Sequence, residues 1–212
     1  MLIKMNVIEV NMEQLDTIFT SALKDAAQQL TNMLGSEVVA TDPILKEISF
    51  EDIPYIFGGS QKIVSGIYME YHGDPKFIDS SVSFNGHLLL TFKIESAFEI
   101  AAILTKDLDV PLDKIGGMTD SIFGEIGNVF GTGFLTSLAN MAGCKLLPSV
   151  PTVINYKASA ILEYVKNRIT NYEVPIVLIQ TNLYSDKQTI EGKFMLIPEN
   201  YKSFLYLFNK NK

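Results

Sequence analysis

Between Met12 and Leu34 apolar side chains fall at Leu15, Ile18, Phe19, Ala22, Leu23, Ala26, Ala27, Leu30, Met33 and Leu34. This three-four spacing predicts one long amphipathic helix, and Gly35 stands where such a helix ends. Val38 and Val39 then lead into Pro43 and a linker marked by Pro54 and Gly58-Gly59. The pattern next shortens to strand-like runs. Residues 62–71 read as a β-strand, H-G-D-P at 72–75 as a turn, and 77–84 as a second strand. Asn85-Gly86 is a two-residue hairpin signal, with H-L-L-L-T-F-K as the partner strand. Glu95 to Leu104 has the spacing of a short helix, and Pro111 marks a linker beyond it.

The second half repeats this order. Thr119 or Asp120 can cap a helix running to about Met141, Gly143 can end it, and Pro148 and Pro151 break the chain beyond that glycine. Residues 157–168 predict a short helix. Runs 173–183 and 189–197 predict a hairpin across the polar Y-S-D-K-Q-T, closed by Pro198. M-L-G at 33–35 answers M-A-G at 141–143, and a proline lies eight residues past each glycine, at Pro43 and Pro151. N-G-H-L-L-L-T-F (85–92) lies over E-G-K-F-M-L-I-P (191–198), glycine over glycine. A duplicated half with pseudo-twofold symmetry accounts for these matches; shared turn chemistry in unrelated segments would also produce them. Helices sit at corresponding places in each half rather than alternating with strands. That arrangement predicts an α+β fold with antiparallel sheet packed on long helices. No Ser/Gly-rich linker parts the halves, so 1–212 is read as one unit with internal halves 1–110 and 111–212.

Composition narrows the function. The 212 residues are 47% apolar, enough for a core without staples, and 24 acidic against 17 basic residues give a net charge of -7. That balance argues against a nucleic-acid-binding surface, because no Lys/Arg stripe is present to neutralise phosphates. Cys144 is the single cysteine, so no internal disulfide exists; a reducing, cytoplasmic location is expected. No apolar run reaches the length of a membrane span. His72 and His87, at a turn and beside the hairpin signal, are expected at the surface or an edge, without the cluster a metal needs. The pairs Gly58-Gly59 and Gly116-Gly117 lack the Lys and Ser/Thr context of a phosphate loop. Phe204, Leu205, Leu207 and Phe208 form an apolar tail that packs back on the domain or meets another subunit.

The chemistry lies in D-S-I-F-G-E-I-G-N-V-F-G-T-G, Asp120 to Gly133. On a helix, Ser121, Glu125, Asn128 and Thr132 form one polar ridge, with Ile122, Ile126, Val129, Phe130 and Phe134 around the rest. Four glycines in ten residues disfavour a helix by about 2–4 kcal/mol. They either let a partner come close or let the helix pack tightly inside its own molecule. A carboxamide is no base at neutral pH, but it donates and accepts hydrogen bonds and can hold a water molecule. A carboxylate one turn away can grip a cation. Neither needs a metal, so the pair suits a half-site that completes another protein's active centre, or a binding ridge.

The spacing resembles the signature of the CheC/CheX/FliY family of chemotaxis phosphatases: Asp or Ser, three residues, Glu, two residues, Asn, then twenty-two residues and Pro. Ser121, Glu125, Asn128 and Pro151 occupy every specified place, and the resemblance extends over nearly the whole chain. It implies a CheC-like fold of two similar halves. It further implies hydrolysis of the phosphoaspartate of a CheY-type response regulator, whose own Mg2+ serves the reaction; the chain has no cofactor of its own. By the resemblance, Asn128 positions the attacking water, Glu125 docks to a regulator lysine, and Ser121 and Pro151 support the helix. The first half carries no second pair. Aligning Gly35 with Gly143 sets Glu13, Thr17 and Thr20 against the motif, while aligning D-T-I-F with D-S-I-F sets Thr17, Ser21 and Lys24 there. One site is therefore expected, with the length of CheC and the single centre of CheX. The alternative within the family is a non-enzymatic adaptor or flagellar switch component. Some relatives of CheC type also bind the receptor deamidase CheD, for which the residues give no sign either way.

Overall fold

The computed structural model describes residues 12–35, 37–41, 43–74, 84–93, 95, 112–169, 176–185 and 188–209. The first half begins with α1 (Met12–Leu34), β1 (Val38–Ala40) and β2 (Ile44–Ile48), followed by a 3-10 turn (Phe50–Asp52). It continues through α2 (Ile53–Ile56), β3 (Ile63–Gly73) and β4 (Gly86–Lys93). The second half comprises α3 (Leu112–Ala142), β5 (Leu146–Pro148), β6 (Thr152–Lys157), α4 (Ala158–Lys166), β7 (Ile176–Ser185), β8 (Gln188–Pro198) and α5 (Tyr201–Asn209).

Among the described residues eight strands form one antiparallel sheet, in which each half's short strands pair with the long strand of the other half. β1 and β2 pair with β7, β5 and β6 pair with β3, and β4 meets β8 at the centre. The halves are thus interlaced. One face of the sheet, with Ile67, Met69, Leu88, Leu90, Val177 and Phe194, is covered by α1, α3 and α5. The other, with Val64, Tyr68, Leu89, Leu178 and Met195, is covered by α2 and α4. Strands buried on both faces lose the alternation that a half-exposed strand shows, which is why β4 reads H-L-L-L-T-F.

The helices α1 and α3 pack antiparallel. Asp25 meets Ser137, and Gly133 lies against Ala26 and Gln29, so residue numbers fall on one helix as they rise on the other. Both helices end on glycine in the left-handed region, Gly35 at φ 64° and Gly143 at φ 62°, as expected. Phe19 stacks against Phe134 and Phe204, which fixes α5 on the same layer. The apolar tail therefore packs back, with Phe204 and Phe208 buried.

Several expectations are corrected. The helix α3 starts at Leu112, so Thr119 and Asp120 lie inside it and neither caps it. Gly116-Gly117 weakens a helix by about 1 kcal/mol per residue without forbidding it. The segments 43–59 and 146–157 are not mere linkers or breaks: they hold β2, α2, β5 and β6. Their pairing partners lie far away in sequence, which no local propensity records, and Pro148 is tolerated because β5 is an edge strand. The strand foreseen at 77–84 lies outside the described residues except for Phe84, as does the 95–104 helix except for Glu95. Asn85-Gly86 is not a turn between that strand and the next, because β4 is already paired on both edges: Gly86 lies opposite Tyr71 and Pro198. Gly86 is glycine because the Tyr71 hydroxyl occupies the space a side chain would fill.

His87 is also corrected. It is 3% exposed, in the middle of the sheet face that carries Tyr68 and Leu89, rather than at the surface; His72 is exposed as expected. Its Nδ1 lies 2.7 Å from the Tyr68 hydroxyl, which donates to Glu70 at 3.2 Å. Nε2 has no hydrogen-bond partner among the described residues, with Glu199 at 3.9 Å. Burial lowers the His87 pKa below 6.5; His72 lowers it further, and Glu199 and Glu70 oppose the shift. The unfolded chain then takes up the proton more readily than the folded one. Stability is therefore full above about pH 6.5 and declines as pH falls from there toward the lowered folded value. Urea unfolding at pH 7.5 and 5.5 is expected to show this loss in the wild type and a smaller one in His87→Gln.

Candidate functional site

The ridge forms as the spacing requires. Ser121, Glu125 and Asn128 are exposed on α3 and Thr132 is half-buried beside them, while Phe123, Ile126, Phe130 and Phe134 are buried beneath. Among the described residues no hydrogen bond or ion pair holds the Glu125 or Asn128 head group. Both are available to a partner.

Three of the four glycines serve internal packing. A Cβ on Gly127 would land on Ile67 Cγ2 and touch Pro151, one on Gly131 would meet the Met69 sulfur at 2.5 Å, and one on Gly133 would meet the Ala26 Cα at 3.2 Å. The helix thus lies close on β3 and on α1 because these side chains are missing. Gly124 alone faces open space.

Pro151 lies against the turn of α3 that holds Gly127. The bridge P-S-V-P joins β5 to β6, both paired with β3, and Ser149 is fixed there: its N–H donates to the Glu70 carbonyl at 2.8 Å, and its hydroxyl accepts from the Glu70 N–H at 2.9 Å. Pro151 then lies 3.4 Å from where a Gly127 Cβ would be, against the turn that bears Glu125 and Asn128. One residue away, Val150 is 86% exposed. Sequence reasoning passed over it, although an isolated valine between two prolines was a visible sign. Asn155 on β6 was also missed. Its amide donates to Asp120 Oδ1 at 2.5 Å, tying the start of the motif to the sheet.

On the opposite flank the ridge borders an open trough of about 590 Å³ between α1 and α3, with Asn128 at its edge. The site is therefore a raised ridge between an apolar bridge and a polar trough. Among the described residues no cluster of three or more His, Cys, Asp or Glu could hold a metal, and no helix is long and apolar enough to cross a membrane. Cys144 is half-buried, and burial raises its thiol pKa.

At the symmetric position on α1 the pairing settles which alignment holds. Ala40 and Pro148, the last residues of β1 and β5, pair with Leu183 and Tyr71, and Ile44 and Thr152 open β2 and β6. This register agrees with Gly35 over Gly143. It sets Glu13, Thr17 and Thr20 against Ser121, Glu125 and Asn128, so α1 carries no acid–amide pair.

The CheC-like family model matches residues 118–154, which run from just before Ser121 to just beyond Pro151. The CheY-P phosphatase CheC of Bacillus subtilis (strain 168) is 23% identical over 187 residues, 86% of this chain and 85% of that protein. The chain is thus similar to the CheC-like family over the motif segment and to this phosphatase over most of its length. The crystal structure of Thermotoga maritima FliY superposes with a TM-score of 0.74 at 17% identity, covering 97% of this chain and 100% of that one. The FliM middle domain from H. pylori gives 0.57 at 12% identity over 93% and 99%. These likenesses show that the interlaced α+β architecture is a fold shared with both structures.

Proposed function

We propose that this protein accelerates hydrolysis of the phosphoaspartate of a CheY-type response regulator. The observation that carries the reading is the joint exposure of Glu125 and Asn128 on one ridge of α3, inside the segment the CheC-like family model matches. A ridge enters a cleft; it does not enclose a small molecule. The metal and the acyl phosphate belong to the regulator, and this chain supplies the aim. Asn128 Oδ1 accepts a hydrogen bond from water, leaving the water's lone pair directed at phosphorus. The new O–P bond forms as the aspartyl O–P bond breaks, releasing inorganic phosphate and a carboxylate. Glu125, a helical turn before Asn128, pairs with a cation on the regulator. Pro151 and the glycine contacts fix the height of the turn, and Ser121 continues the ridge.

Phosphate release from the phosphorylated regulator tests this reading: the wild type should raise the rate, and equal rates with and without the protein contradict it. Glu125→Ala is expected to raise KM about tenfold with kcat changed far less, the loss of one charge-assisted contact. The fold shared with the FliM middle domain, together with the missing pair on α1, favours a second reading as a binding component. Its sign is phosphorylation-dependent regulator binding with no turnover.

A further inference from the structure

The first half has no acid–amide pair, yet α1 lies directly beside the ridge of the second. We propose that the trough between α1 and α3 seats a basic, polar segment of the same regulator beside its phosphorylated aspartate, so that the first half acts as a docking surface for the second half's site. This rests on the reading of the ridge as a regulator-docking element.

The trough is continuous with the ridge. Asn128 lines it, so a surface that closes around the Asn128 amide lies along this groove. The lining is suited to backbone and polar side chains: Gln28 and Gln29 from α1 face Thr132, Thr136 and Asn140 from α3. Gln28 and Thr136 are exposed, and Gln28 donates to Asn32 at 3.2 Å, a pair that can rotate toward a ligand without disturbing the core. Asp25, the one charged group among the described residues of the lining, accepts a 2.6 Å bond from Ser137.

Charge gives the sign of the partner. From Ile115 to Cys144 the chain has Asp120 and Glu125 and no lysine or arginine, and Lys24 is the single cation of α1, against Glu13, Asp16 and Asp25. A ridge and a trough that carry carboxylates and, among the described lining, no cation favour a basic surface and penalise an acidic one. A hydrogen-bonding groove with a single carboxylate adds modest affinity, which suits a partner that must leave after each turnover.

The test uses two exposed positions outside the catalytic pair. In Thr136→Lys a cation faces the incoming basic segment; KM for phosphate release should rise more than tenfold at low salt and recover toward wild type at high salt, with kcat within twofold. Gln28→Ala should raise KM about three- to tenfold. Binding of the regulator loaded with beryllium fluoride, an acyl-phosphate mimic, should weaken in parallel. Unchanged KM and binding in both variants, or a loss of kcat at constant KM, would overturn the docking role. A wild type that binds the loaded regulator but releases no phosphate removes the phosphatase reading. Weaker binding by the two variants would still support the trough.

Discussion

Gly127→Ala is expected to destabilise the protein by about 1–2 kcal/mol and to impair the site at the same time, although alanine is the better helix former. The new methyl group would land on Ile67 Cγ2, on a buried β-branched side chain in the middle of β3, and would press on Pro151. Ile67 has little rotamer freedom in a strand, so the helix must lift instead. The overpacking outweighs a propensity gain of at most about 1 kcal/mol. Gly124→Ala is the control: nothing lies within 4 Å of its Cβ position, so the same substitution should stabilise by about 0.5–1 kcal/mol. Thermal unfolding should move the two melting temperatures in opposite directions, by about 2–4 °C per kcal/mol in a domain of this size.

Asn128→Ala should remove the acceleration of dephosphorylation, by roughly ten- to a thousandfold in kcat, and leave folding unchanged. The side chain is exposed, so the substitution is neutral to slightly favourable for the helix. On the proposed reading, what disappears is the group that aims the water. In-line geometry is a large share of catalysis when the leaving group is already good, so losing the aim affects kcat rather than KM. Binding of the loaded regulator should fall by only a few-fold, since Glu125 and the flanking surfaces remain.

The long helices and the ridge were legible because both are local. Three-four spacing identifies α1 within its own residues, and Ser121, Glu125 and Asn128 share a face whatever surrounds them. The reason for the glycines was not legible. Gly127, Gly131 and Gly133 answer to Ile67, Met69 and Ala26, none of which is near them in sequence. The short strands β2 and β6 were missed for the same cause, as each is stabilised by a long strand of the opposite half. In the segment read as the end of a repeat, the strand pairing points to another register than glycine over glycine. Tyr71 pairs with Gly86 and its counterpart Leu183 pairs with Ile190, which puts Gly86 over Ile190 rather than over Gly192. A shift of two residues keeps every side chain on its face, so pattern alone could not expose it.

On this mechanism the Asn128 amide, presented on an exposed ridge, directs water onto another protein's acyl phosphate. The most direct measurement is the decay of the phosphorylated regulator in single turnover, with saturating wild type and saturating Asn128→Ala in parallel. Decay should be fast with the wild type and near the regulator's own rate with the variant, while both remain bound. Equal acceleration by the two proteins would contradict the role assigned to Asn128.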